Sequence, residues 1–555
     1  MAEDSRPRTD RPATRLALVF GADLRSLALF RIALAAGVIA DVLSRAADLS
    51  AHYTDAGVLR RSDLLETFSW LHNWPICIHL IGGAFWSQAL LFVLHALFAA
   101  CMLVGYRTRL ATCAVWLFTM SVQLRNLYIG QGFDAELRMM LFWGCFVPLG
   151  ARYALDCRRR PLSPKQSNHL LSVGTASLFT QLVIIYLSTG EAKFLHGEWT
   201  QGTAVAAVLN NELWATRTGI ALLRFPALCH WLTSATLLLE LAAPILLFAP
   251  IFSGPIRTAT VFSLCCMHLG FALGLRVGIF PWVSIAALLC LLPPWFWDVL
   301  LPRVAAFPGL APLAHWLRAW WARPAVAHVR TRLLERLGST GRADASGVLD
   351  VSSTARLSRN SWRLDWQRKS AATLSQLACA LFLGYVIFWN IGVVRDPAYE
   401  APPWIGWLGS TFFLQQDWRM FASIASRTGW LLIPGRLKDG TQLDLFQDGG
   451  PLPHWSASQT GEPPRWTHPS PILYQVKDYR WLGFIDRLAF GKRGDEQRLL
   501  YGRYLCREWN GQHDGMQQLE TLDMFFMSRP VLPEYPHYTD GDYEQVLLWT
   551  HRCFG

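Results

Sequence analysis

Residues 87–105 read SQALLFVLHALFAACMLVG, nineteen positions without an Asp, Glu, Lys or Arg. A helix of that length rises about 28 Å, close to the hydrocarbon thickness of a bilayer. Similar stretches recur at 24–44, 109–125, 137–152, 171–190, 229–250, 257–274 and 278–297, and again at 373–394. The expectation is an all-α polytopic membrane bundle of eight to nine transmembrane helices. Residues 64–85 are interrupted by His72, Trp74, Pro75 and His79 and read as an interfacial or re-entrant segment instead.

Composition agrees with this reading. Hydrophobic residues make up 52% and charged residues 16% of 555 positions, where soluble domains are nearer a quarter charged. The 26 Trp suit membrane–water interfaces, where an indole buries its body and keeps its N–H wet. A net charge of +11 reads as the Lys/Arg bias of cytoplasmic loops rather than as a nucleic-acid surface. Cys101, Cys113, Cys145, Cys265, Cys266, Cys290 and Cys379 lie in apolar runs and behave as small hydrophobes. No CxxC or Cys/His spacing suggests a metal. The polar start lacks the pattern of a cleaved signal peptide, so the first span is expected to direct insertion.

Basic residues fall in every second connection: Arg6 to Arg15, Arg107 and Arg109, Arg152 to Lys165, Arg257, and the Arg-rich 301–372 stretch. The positive-inside rule puts these in the cytoplasm. The expected organisation is a cytoplasmic arm at 1–23, a transmembrane unit at 24–300 and a basic cytoplasmic linker at 301–372. A last span follows at 373–394, and then a small soluble α+β domain at 395–555. Nine spans place that domain outside, in the bacterial case beyond the inner membrane. The linker holds an amphipathic basic segment at about 313–336, either a membrane-surface helix or a solvated face. In the last domain, 430–433 and 442–446 flank Lys438-Asp439-Gly440 as a β-hairpin. Strands are expected at 519–527 and 543–551 and a helix at 494–509. Outside the cytoplasm, Cys506 and Cys553 are able to form a disulfide.

The candidate chemistry centres on residues 185–202, IYLSTGEAKFLHGEWTQG. Here an apolar span ends in Glu191 and Lys193, followed by His196, Glu198 and Trp199. Two readings of Lys193 stand side by side. It snorkels to the interface and pairs with Glu191 or Glu198, or it lies in a desolvated pocket where a neutral amine serves as general base. His268 and Glu240 each sit inside a span, where an ionisable residue marks either function or an interhelical bond. Asp134 and Arg138, near Arg125 and Asn126, read as an interfacial charge cluster. No phosphate loop, nucleophile elbow or dinucleotide fingerprint is present in plausible context.

An ordered series then becomes recognisable: Phe30-Arg31-Ile32, His52-Tyr53-Thr54-Asp55-Ala56-Gly57, Gly105-Tyr106-Arg107-Thr108, Arg125-Asn126, Pro148-Leu149-Gly150-Ala151-Arg152, Tyr186, Lys193, Trp199, and Leu239-Glu240-Leu241 with Pro244. Over about 24–300 it resembles the HTTM domain, the membrane region that bacterial proteins share with vitamin K-dependent γ-glutamyl carboxylase. The stretch 414–422 resembles the region after the last span in bacterial members. The resemblance implies a quinol-dependent carboxylase or epoxidase, with Lys193 as base and His268 and Asp134 shaping the pocket. Trp199, Tyr186 and Glu240 would hold a vitamin K-type hydroquinone, with O2 and CO2 as co-substrates and a protein or peptide as substrate. The sequence departs from the carboxylase in carrying Asp134 near the place of a His, and Ala192 in place of a paired Lys. A non-catalytic membrane scaffold presenting its last domain to a partner is the alternative. A proton-coupled transporter is the third, without visible internal repeats.

Overall fold

The computed structural model describes residues 12–72, 76–159, 167–211, 213–307, 354–396, 399–447, 449–450, 476–491, 493–531 and 543–554. The bundle is built from α1 (Leu24–Ala47), α2 (Phe85–Val104), α3 (Thr108–Arg125), α4 (Gly132–Gly144), α5 (Val173–Phe194), α6 (Pro226–Leu247), α7 (Ser253–Gly274), α8 (Phe280–Leu288) and α9 (Thr354–Arg395). The amphipathic segment expected at 313–336 lies outside the described residues.

Among the described residues, six helices are long and apolar enough to cross a membrane: α1, α2, α5, α6, α7 and the Thr373–Arg395 part of α9. A seventh is reached if Phe280–Leu291 and Phe296–Ala305, bent by 89°, count as one span. This is fewer than the eight to nine expected, and the shortfall lies at 109–125 and 137–152. Both stretches contain helices, α3 and α4. However, α3 carries Arg109 and Arg125, and α4 is 13 residues long and ends ahead of Pro148. Asp134, Glu136 and Arg138 of α4 are buried with its apolar residues, so this helix is a core post of the bundle. The bend after α8 falls at Pro293 and Pro294, which cannot continue the hydrogen-bond ladder. Residues 64–85 form only a short helix end and single 3-10 turns where described, as expected of a segment that does not cross.

The two ends of the bundle differ. At one end, Arg25 pairs with Asp298, Arg257 donates to the carbonyls of Leu18 and Val19, and Asp156 accepts from the backbone of Arg107 and Thr108. At the other, the C-terminal unit docks. Tyr479's carbonyl accepts from Gln131, Gly57's from Arg507, and Thr428 donates to Asn211. Lys193, in the last turn of α5, lies at this second end.

The C-terminal unit contains α10 (Tyr479–Phe490), α11 (Gly494–Asn510) and an antiparallel sheet of β1 (Arg427–Leu432), β2 (Pro434–Leu437), β3 (Gln442–Asp444), β4 (Leu519–Pro530) and β5 (Glu544–Arg552). The long β4 is central, with β1 and then β2 along one edge and β5 along the other. The hairpin partner differs from expectation. Residues 430–432 pair with β4, Trp430 opposite Met527, and the hairpin around Lys438–Gly440 is β2 with β3. Pro434 lacks an N–H and starts a new strand, so the two halves of the run take different positions along β4. The expected strands and the helix at 494–509 are present, and α10 is an element the sequence reading lacked. A disulfide joins Cys506 of α11 to Cys553 just past β5.

Candidate functional site

The site begins with a glycine. A Cβ on Gly190 of α5 would lie 3.2 Å from the Glu240 backbone and 3.1 Å from Leu241, so Gly190 lets α6 approach closely there. One turn later Lys193 meets Glu240, its Nζ 2.6 and 2.7 Å from the two carboxylate oxygens. Both side chains are buried, at 2% and 3% exposure. Pro244, four residues after Glu240, provides no N–H to that turn of α6.

Around this pair the other expected residues assemble. The Trp199 ring lies 4.7 Å from Lys193 Nζ, and its indole N–H donates to the carbonyl of Phe421 at 2.9 Å. The Tyr186 hydroxyl and His268 Nε2 are 3.0 Å apart, linking α5 to α7. His268 Nδ1 is buried without a hydrogen-bond partner. Asp134 is elsewhere. It sits in a separate buried cluster, accepting from Arg45 at 2.6 Å and Arg480 at 3.2 Å, while Asp41 pairs with the same two arginines. That cluster fastens α10 to α1 and α4, and Asp134 does not line the pocket at Lys193.

Two voids meet at Lys193. One is an apolar cavity of about 940 Å³ between α6, α7 and the short helices at 204–222, with Trp199, Leu239, Phe271 and Phe421 in its wall. Phe225, Trp231, Phe262 and Leu273 line it with exposed side chains, so its mouth is on the apolar flank of the bundle. Lys193 is the one charged side chain among its described lining residues. The second void is a chamber of about 20 Å³ lined by Glu136, Tyr186, Lys193, Glu240, His268 and Ser284.

Sequence reading missed Glu136 and the wall supplied by Met420 and Phe421. Glu136 carried the same signal as Glu240, a carboxyl in an apolar helix, but lay inside the Asp134–Arg138 cluster and was absorbed into it. The strap at 414–422 is held along α5 by Gln181 to Gln416 at 2.7 Å and Thr189 to the Trp418 carbonyl at 2.9 Å. Phe421 has φ +56°, a left-handed backbone that a non-glycine residue adopts only when its surroundings fix it.

Residues 21–295 match the family model described as the HTTM domain. The chain is an HTTM-domain protein, and the matched segment contains the Lys193–Glu240 pair and most of both voids. Neither the curated proteins nor the solved structures include a match.

Proposed function

We propose that this chain is a membrane enzyme of the γ-carboxylase-like class, taking a quinol-type amphiphile into the cavity at Lys193. The observation that carries the reading is the placement of one buried ion pair where a bilayer-facing apolar cavity meets a polar chamber. The cavity volume lies within the range of small-molecule sites, and its lining suits a ring with an apolar tail, oriented by a single polar end. Lys193 and Trp199 would hold the polar end, and Leu239 and Phe271 the apolar body. A vitamin K-type hydroquinone, when bound with O2 and CO2, would supply the oxidative driving force for carboxylation of a protein or peptide glutamate.

The chain's own part is proton handling. In the ion-paired form Lys193 holds its full complement of protons, and the free acceptor is the Glu240 carboxylate. The pair as a unit thus accepts one proton, with Lys193 fixing the carboxylate and orienting the donor. Aromatic and aliphatic walls exclude water, which strengthens each of these interactions.

The reading places the chain in a bacterial inner membrane, with its N-terminus in the cytoplasm and its C-terminal unit outside. The Arg-rich connections at the opposite end of the bundle and the Cys506–Cys553 disulfide support that orientation. The accessory-scaffold alternative draws on how firmly Arg480 fastens the C-terminal unit. Phylloquinol epoxidation or CO2 fixation by the purified chain should fall at least about 100-fold in Lys193→Met. An unchanged rate in a folded variant removes Lys193 from the chemistry and favours the scaffold.

A further inference from the structure

Glu136 is a buried carboxyl that the proposed chemistry leaves unused. It is 2% exposed, and the Ser284 hydroxyl of α8 donates to its Oε2 at 2.7 Å. No Lys, Arg or His among the described residues forms an ion pair with it. A carboxylate in such surroundings is costly to keep charged without a cation beside it, so Glu136 is disposed to take up a proton. The chamber it lines has room for one water molecule, and the titratable groups facing it there are Lys193, Glu240, Tyr186 and His268.

The other side of the pair offers no such exit. The large cavity has an apolar wall with Lys193 as its one charged group among the described residues. A proton taken by Glu240 would leave the pair with a net positive charge in a low-dielectric interior. The second carboxyl on the chamber is Glu136.

We infer that Glu136 is the group that discharges the Lys193–Glu240 pair by exchanging a proton with it across the chamber. The proton leaves the Glu240 carboxyl and arrives on the Glu136 oxygen that Ser284 does not occupy. The ion pair is restored, and Glu136 becomes a neutral acid that must give up that proton to water before the next turnover. This rests on the reading of the pair as a proton acceptor. Glu136 acts through the pair and does not touch the cavity, so its loss should slow repeated turnover and spare the first.

The test uses the full chain in lipid nanodiscs. Infrared difference spectra across an acid–neutral titration should show a carboxylic-acid C=O band that Glu136→Gln removes. Glu240→Gln should change the pH midpoint of that band. Glu136→Asp, with its band displaced in frequency, serves if the Gln variant does not fold. No lost band, or a midpoint indifferent to Glu240→Gln, overturns the exchange. With phylloquinol as probe, Glu136→Gln should keep a single-turnover burst and lower the steady-state rate about tenfold, and an equal steady-state rate overturns it. Wild-type protein that never turns over phylloquinol but keeps the spectral coupling retires the quinol reading and leaves the proton exchange standing.

Discussion

Two buried charge clusters occupy the same end of this bundle and differ in what surrounds them. Asp41, Arg45, Asp134 and Arg480 balance two carboxylates against two guanidinium groups, and the Tyr53 hydroxyl accepts from Arg45. None of the four lines either void at Lys193. Lys193 and Glu240 also balance, but their pair borders both an apolar cavity and a polar chamber. Buried charge alone therefore does not mark a site. A charge pair with space beside it does, since only there can a ligand or a proton arrive.

The contrast is sharpest when one partner is removed. Arg480→Met leaves Asp41 and Asp134 short of a cation and should cost about 3–5 kcal/mol, with the C-terminal unit losing protease resistance in the same step. Thermal unfolding and limited proteolysis would show it, and wild-type behaviour would mean the cluster does not fasten the unit. Lys193→Met should cost about 3 kcal/mol by stranding Glu240, whereas Lys193→Met with Glu240→Leu should recover to within about 1 kcal/mol of wild type. That recovery, measured by thermal unfolding, would restore the fold without restoring turnover. A second change that neutralises one carboxylate, Asp41→Asn, should recover part of the stability lost in Arg480→Met, because Arg45 then balances Asp134. It should not restore the fastening of the C-terminal unit.

The cavity is probed through Gly270, whose added Cβ would meet nothing within 4 Å although the residue lines the void. Gly270→Leu should fill space and weaken phylloquinone binding about tenfold, or roughly 1.4 kcal/mol, without lowering the unfolding temperature. Unchanged affinity would place the ligand elsewhere. The smallest effect belongs to the closed cluster's neighbour His52, packed at a tilt against Trp481 with ring centroids 4.4 Å apart. Burial, and then the nearby Arg480, push its imidazole down to about 3. The unfolded chain binds that proton near the ordinary value of 6.5, so stability from a neutral His52 is present above that pH and is lost as pH falls through it toward 3. His52→Gln should therefore remove about 0.7 kcal/mol of destabilisation at pH 6 relative to neutral pH. Equal acid sensitivity in the two proteins would contradict this.

Much of this was legible in residue order. Long apolar runs gave the positions of α1, α2, α5, α6 and α7, because period-free hydrophobicity over twenty residues has few other outcomes. Lys193, Glu240, Trp199, Tyr186 and His268 stood out as ionisable or amphipathic groups in apolar context, and the structure brings them together. Asp134 stood out for the same reason and went to the other cluster. Its partner Arg480 lies 346 residues away, a pairing no local pattern contains. The expected spans at α3 and α4 are not among the helices long and apolar enough to cross, α3 carrying Arg109 and Arg125 and α4 being 13 residues long. Helices wrapped by other helices need not be apolar all round. The strand partner of residues 430–432 was also out of reach, since a hairpin turn fixes only its own two strands.

The central claim is that the pair beside the two voids does chemistry and not only packing. The most direct measurement compares steady-state phylloquinol oxidation, with O2 and CO2 present, in wild type and in the Lys193→Met, Glu240→Leu double variant. The double variant is chosen because its neutral core should keep the fold. The account predicts turnover by wild type and a rate at least about 100-fold lower in a double variant of matching unfolding temperature. Equal rates in the two proteins, or no turnover by wild type, would contradict it.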